Sequence, residues 1–304
     1  MKREVLIESL RSSLKSAGLI LKLVIPLYIL ADILLYLDLL QHVSFIFAPI
    51  TSILNLPAEA AMAIAAGVLL NLYAAIAFAA PLGLDPYQWT ILAVFLGVCH
   101  SMVVESAIMK KLGISYAYSI VLRGTMAFVT VFPVMLMPRS FFGSETPAQQ
   151  VATTIYTTFP AMLQASLVNA LLLSGKLILL ISLIIVTMDW IKSTRLMQRY
   201  TQKVNTSFSI IVGQLLGITY GAGILIREAN NGHLDRRDIF FIATFLMICH
   251  SIIEDALLFV LFGANYWVIV GIRILVAVCV SFLLLQLFSR FFNFRQGVDR
   301  KIIH

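Results

Sequence analysis

Two short segments hold the residue types that could do chemistry: Cys99-His100-Ser101 with Glu105, and Cys249-His250-Ser251 with Glu254 and Asp255. Imidazole, carboxylate and thiolate together suit a transition metal such as Fe(II), Zn(II) or Mn(II) better than Mg or Ca. The candidate metal ligands are therefore Cys99, His100, Glu105, Cys249, His250, Glu254 and Asp255. A proton relay through His and Glu is the competing chemistry. A structural role is the third, since polar residues also bridge helices in membrane bundles. On an ideal α-helix residues five apart point about 140° apart, so His100 and Glu105 meet on one ligand only if the helix unwinds or bulges between them. Ser101 and Glu105, Ser251 and Asp255, and His250 and Glu254 are four apart and share a face.

Both segments lie in long apolar runs. The chain has 304 residues, of which 60% are hydrophobic and 12% charged. Soluble domains carry roughly 25% charged residues. With a mean hydropathy of +0.95 and several runs near the roughly 20 residues that span a bilayer, an all-α polytopic membrane protein is expected. Ionisable groups inside a membrane cost at least about 2.5–3.5 kcal/mol each on insertion scales and are functional candidates by default. The net charge of +7 is assigned to cytoplasmic Lys and Arg, which argues against a nucleic-acid partner. Three cysteines do not form a disulfide framework, and no cleavable signal is read in the charged, helix-patterned residues 1–16.

The chain is duplicated. A shift of 150 positions pairs Cys99-His100-Ser101 with Cys249-His250-Ser251, Glu105 with Asp255, Gly113 with Gly263, Tyr116 with Tyr266, and Arg123 with Arg273. Upstream it pairs Gly67 with Gly217 and Asp85 with Asp235, and a shift of 157 pairs Gly18 with Gly175 and Asp32 with Asp189. Candidate spans are 17–40, 58–81, 88–111 and 114–137, then 174–191, 205–228, 238–262 and 265–288, with 151–173 ambiguous. The expected organisation is a cytoplasmic amphipathic N-terminus (1–16), a first repeat (17–137), a linker or interfacial segment (138–165), a second repeat (166–288) and a basic cytoplasmic tail (289–304).

Lys and Arg concentrate in 1–16, 192–203 and 290–301, and such residues mark the cytoplasmic side. One scheme puts all three inside: 88–111 and 238–262 enter and leave on the same side as broken helices or re-entrant hairpins. Each half then crosses three times, and the halves are inverted, with a site expected at their interface near the midplane. Both termini are then expected in the cytoplasm.

Arg123 and Arg273 stay charged, so inside a bundle each must meet a carboxylate, a carbonyl or an anionic ligand. An ion pair with Glu105 or Asp255 is one reading, and contact with phosphate or another anion is the other. Ser101, Ser251 and Asn71 join them as candidates for substrate contact. Gly213, Gly217 and Gly221 match Ala63, Gly67 and Asn71 and read as small-residue packing. The polar stretch 230–238, including His233, reads as a solvated loop.

The paired "FLGVCHSMVVES" and "FLMICHSIIEDA" segments, each followed by Gly, Tyr and Arg at fixed distance, resemble the nucleoside recognition or Gate family of bacterial membrane proteins. That name is shared with segments of concentrative nucleoside transporters, ferrous-iron permease gates and spore maturation proteins. The resemblance covers two Gate-like units, about 17–137 and 166–288, and implies an inverted-repeat core forming a path or gate. The residues favour a transporter for a divalent transition metal, with the lipid bilayer and the solute as partners and no resident cofactor otherwise. A nucleoside or anionic solute is the alternative within that class. An intramembrane metalloenzyme and a non-transporting gate or accessory subunit are alternatives outside it. Homodimerisation is left open.

Overall fold

A computed structural model describes residues 3–39, 48–143, 156, 158–193 and 235–301. The span expected at 205–228, with Gly213, Gly217, Gly221 and His233, and most of the basic 192–203 segment lie outside the described residues. The described chain is an all-α membrane protein. Five of its helices are long and apolar enough to cross a bilayer.

Helix α1 (Arg3–Tyr36) runs unbroken, so the expected separate N-terminal segment 1–16 is instead the first turns of the first span. It is followed by α2 (Ala48–Ile53), α3 (Ala60–Leu69) and α4 (Leu72–Ala79). Next come α5 (Pro86–Cys99), α6 (Met102–Lys111) and α7 (Tyr116–Met135). The second half contributes α8 (Phe159–Lys192), α9 (Arg236–Ile248), α10 (Glu254–Val260) and α11 (Tyr266–Lys301). Helix α8 absorbs most of the ambiguous 151–173 segment and starts ahead of the boundary expected at 166, because Thr158 caps it and Pro160 occupies its first turn.

Two sequence expectations are exchanged in the structure. Segment 58–81, read as a crossing, is a hairpin of α3 and α4 turning at Leu70-Asn71. A Cβ on Gly67 would lie 3.1 Å from the Ala75 methyl, a contact possible only if the arms fold back. Each arm is also too short to span, since ten residues rise about 15 Å against a core of about 30 Å. The hairpin closes because Asn71 turns extended and its side chain accepts from Ala74 N, restarting the helix. Segment 88–111, read as broken or re-entrant, is a broken helix that carries on in one direction. Helix α7 runs back along both of its pieces, touching α6 through Ser106–Ser119 at 2.8 Å and α5 through Phe95–Phe128 at 5.1 Å. Helices α9 and α10 repeat this against α11, through Phe241–Phe282 at 5.0 Å and Asp255–Arg273 at 3.7 Å.

The halves are inverted. Helix α5 runs parallel to α11, since Thr90 accepts from Asn265 N at 2.9 Å and Gly97 O accepts from Arg273 at 2.6 Å. Helix α9 starts beside the start of α7, where Tyr118 lies tilted against Phe240 at 5.6 Å. Helices α5 and α9, equivalent by sequence, therefore run in opposite directions. The N-termini of both are fixed by capping boxes at matched positions, Asp85 with Gln88 and Asp235 with Asp238. Outside this core, α1 and α8 lie antiparallel along their whole length. Ser9 donates to Asp189 at 2.8 Å at one end, and Tyr36 meets Phe159 at the other. The shift that matches Asp32 with Asp189 also matches Ser9 with Ser166, and Ser166 lies beside Asp32. The pseudo-two-fold thus passes through the outer pair as well.

Candidate functional site

The site forms where the two broken helices stop. His100 ends α5 in an extended conformation and Ser101 adopts φ 46°; Ser251 adopts the same φ in the second half. Neither break contains Gly or Pro. What opens the helices is the supply of other partners to their backbone. Arg123 donates through Nε to Val98 O at 2.8 Å and through Nη2 to His100 O at 2.6 Å. Arg273 donates to His250 O at 2.9 Å and reaches across the interface to Gly97 O. Ser101 donates from N to Gly67 O and from Oγ to Leu70 O, both at 2.9 Å, so the hairpin tip is tied to the break. Unwound backbone at membrane depth persists only where protein or a cavity satisfies it, and here arginine and serine do so.

The breaks bring His100, His250 and Glu105 together, with their donor atoms all within 4.8 Å of one another. Among the described residues this is the group of three or more His, Cys, Asp or Glu side chains so arranged. His100 Nε2 lies 3.0 Å from Glu105 Oε1, and His250 Nε2 lies 3.3 Å from Glu105 Oε2. The two imidazole centroids are 5.2 Å apart. Each Nδ1 faces a carbonyl four residues back, Leu96 O or Leu246 O, at 2.8 Å. A carbonyl only accepts, so each Nδ1 carries the hydrogen, and in a neutral ring Nε2 presents its lone pair. Two lone pairs then converge on an acceptor carboxylate. Glu105 Oε2 and His250 Nε2 are buried, and neither has an aligned hydrogen-bond partner, short as their contacts are. Arg123 brings one positive charge to Glu105 Oε2, and the three acceptors together have the chemistry to take a further proton or a metal ion. Metal ligands about 2.0–2.2 Å from a tetrahedral ion stand roughly 3.3–3.6 Å from each other, near the separations seen here.

The other expected ligands lie apart from this group. Asp255 faces Arg273, with Nη1 to Oδ2 at 3.7 Å, and Glu254 Oε1 accepts from Tyr73 Oη at 3.1 Å. Cys99 donates its thiol to Phe95 O at 3.2 Å within its own helix, and Cys249 is fully buried at the end of α9. Arg123 pairs with Glu105 at 2.7 Å. Both arginines are wholly buried and give part of their donors to carbonyls, while Arg123 Nη1 and Arg273 Nε and Nη1 have no aligned acceptor. Asn71 serves as the cap of α4. Tyr73, which the sequence offers beside Asn71 as a residue able to face a substrate, bonds to Glu254 from the opposite repeat. Gly97 admits Arg273, since a Cβ there would lie 2.9 Å from the guanidinium carbon.

The fold and site are those of a polytopic helical membrane protein with an ionisable centre between inverted halves. Over 294 residues, 92% of this chain and 93% of the other, it is 26% identical to the uncharacterized membrane protein YvoD of Bacillus subtilis (strain 168). No family model and no solved structure matches the chain.

Proposed function

We propose that the protein is a membrane carrier that holds a divalent transition metal ion, Fe(II), Zn(II) or Mn(II), between its inverted halves as the transported solute. The observation that carries this reading is the convergence of two imidazole Nε2 atoms on the Glu105 carboxylate, where His250 Nε2 and Glu105 Oε2 have no aligned hydrogen-bond partner. Broken helices and a docked hairpin at the same level support it, because discontinuous helices at a repeat interface are where transporters bind solutes and ions. The full burial of both arginines counts against an anionic solute, the alternative within the same class. Placement in the nucleoside recognition family rests on the motif resemblance. The basic ends of α1 and α11 are read as cytoplasmic, in a bacterial inner membrane.

Isothermal titration of the purified protein with each ion tests the reading. His100→Ala combined with His250→Ala is expected to weaken binding by about 100-fold or more. Unchanged binding in that variant sinks it. Ion flux in proteoliposomes separates a carrier from an intramembrane metalloenzyme or an accessory gate. One observation favours a proton as the cation instead: Arg123, 2.7 Å from Glu105, already offsets the carboxylate's charge. In that case titration shows no metal binding, while both imidazoles remain necessary for proton-coupled flux.

A further inference from the structure

The duplicated halves differ at the two ends of the bundle that flank the His–Glu centre. At the end where α5 and α11 start, Trp89 stacks on Phe262 at 4.4 Å and lies 6.2 Å from Phe259. Gly263 packs against Pro86, and Arg139 clamps the corner, paired with Asp85 at 3.1 Å and seated over the Tyr87 ring at 4.5 Å. At the opposite end, the equivalents of Trp89, Phe259 and Phe262 are Ile239, Met109 and Leu112. That end carries hydroxyls bonded to one another, where the aromatic end has Thr90 bonded to backbone: Ser106 bonds Ser119 at 2.8 Å, and Tyr118, tilted against Phe240, bonds Thr244 at 3.0 Å between α7 and α9. Their counterparts at the aromatic end, Ala256, Ile269, Val268 and Val94, have no hydroxyl. Exposed Lys110, Lys111, Arg236 and Arg237 surround the hydroxyl end.

From this divergence we infer that the two ends are unequal gates, and that the resting protein exchanges small polar species with its centre at the basic end, along the hydroxyl seam that α7 forms with α6 and α9. Hydroxyl pairs can trade their mutual bonds for water at little net cost, because folding merely exchanged one set of hydrogen bonds for another. Parting Trp89, Phe259 and Phe262 exposes aromatic surface that nothing compensates. The seam is closed here, with Ser106, Ser119 and Thr244 fully buried, so access requires a local opening. This inference rests on the carrier reading for its purpose, though not for its geometry.

Single cysteines introduced by Thr244→Cys, Ser119→Cys, Trp89→Cys and Phe262→Cys, in a chain with Cys99, Cys249 and Cys279 replaced by Ala, test it. A membrane-impermeant maleimide is added to either face of membrane vesicles, with Lys110→Cys as the accessible control. The two seam cysteines are expected to react about tenfold faster than the two aromatic-end cysteines, and from the basic face. Equal or reversed rates, or seam cysteines that stay unreactive while the control reacts, overturn the inference. Should Thr244→Cys fail to fold, Ser119→Cys reports the same opening. Zn(II) that slows the seam reaction supports the metal reading as well; unequal rates insensitive to Zn(II) keep the gates and count against that reading alone.

Discussion

Gly97 shows how much of this centre is decided by single atoms. Arg273 lies across the face of α5 where Gly97 has no side chain, and its guanidinium closes a hydrogen bond to the Gly97 carbonyl. Gly97→Ala is expected to destabilise the protein by about 1–3 kcal/mol, the usual range for overpacking a close-fitted interior. The guanidinium is wholly buried and has nowhere to retreat. Gly175→Ala, with open space around its Cβ, is the matched control and should be neutral or slightly stabilising. Thermal unfolding in detergent distinguishes the two; equal midpoints for both variants would mean that Arg273 is not held as described. The same scale explains why the repeats bond their acids differently. Glu105 reaches its arginine at 2.7 Å, whereas Asp255, one methylene shorter, stops at 3.7 Å.

Among the elements, the hairpin and the broken helix are one mechanical unit, because Ser101 ties the α3 carbonyls to the start of α6. Ser101 also bears a left-handed backbone, which costs an L-residue roughly 1–2 kcal/mol. Removal of its hydroxyl leaves Leu70 O without that donor, and because the bond is exposed to solvent the loss is about 0.5–1.5 kcal/mol, the net value of a typical hydrogen bond. Ser101→Ala suffers this loss and keeps the backbone strain. Ser101→Gly suffers it and relieves the strain. Ser101→Ala is therefore expected to be less stable than wild type, and Ser101→Gly more stable than Ser101→Ala. A Gly variant less stable than the Ala variant would show that the left-handed turn is not maintained.

Taken whole, the molecule is two inverted units sharing α5, α7, α9 and α11 as a core and α1 with α8 as an outer pair. The outer pair sets the N-terminal end of α1 beside the C-terminal end of α8, which fixes which basic segments share a side. With the hairpin returning to its own side and three crossings per half, both chain termini are expected on the cytoplasmic face and residues 144–155 on the other. Reporter fusions at each terminus and within that linker measure this. Termini on opposite faces would break the inverted-repeat scheme.

Composition and repetition in the sequence were enough to establish a helical membrane protein, the duplication, and the larger set of residues from which the centre is drawn. Hydropathy is a sum over side chains, and a shared offset of polar residues survives without knowledge of contacts. Which segment folds back and which continues was not legible. Residues 58–81 and 88–111 have similar apolar content, and neither break is marked by Gly or Pro at the point of opening. Arg123, Arg273 and Ser101 decide it by supplying partners to backbone that a regular helix would satisfy alone, and they arrive from other helices. The selection of His100, Glu105 and His250 from a larger set of acids and thiols likewise belongs to the tertiary structure. Side chains adjacent in sequence point in different directions once the helix ends, and only the packing of the inverted halves determines which of them meet.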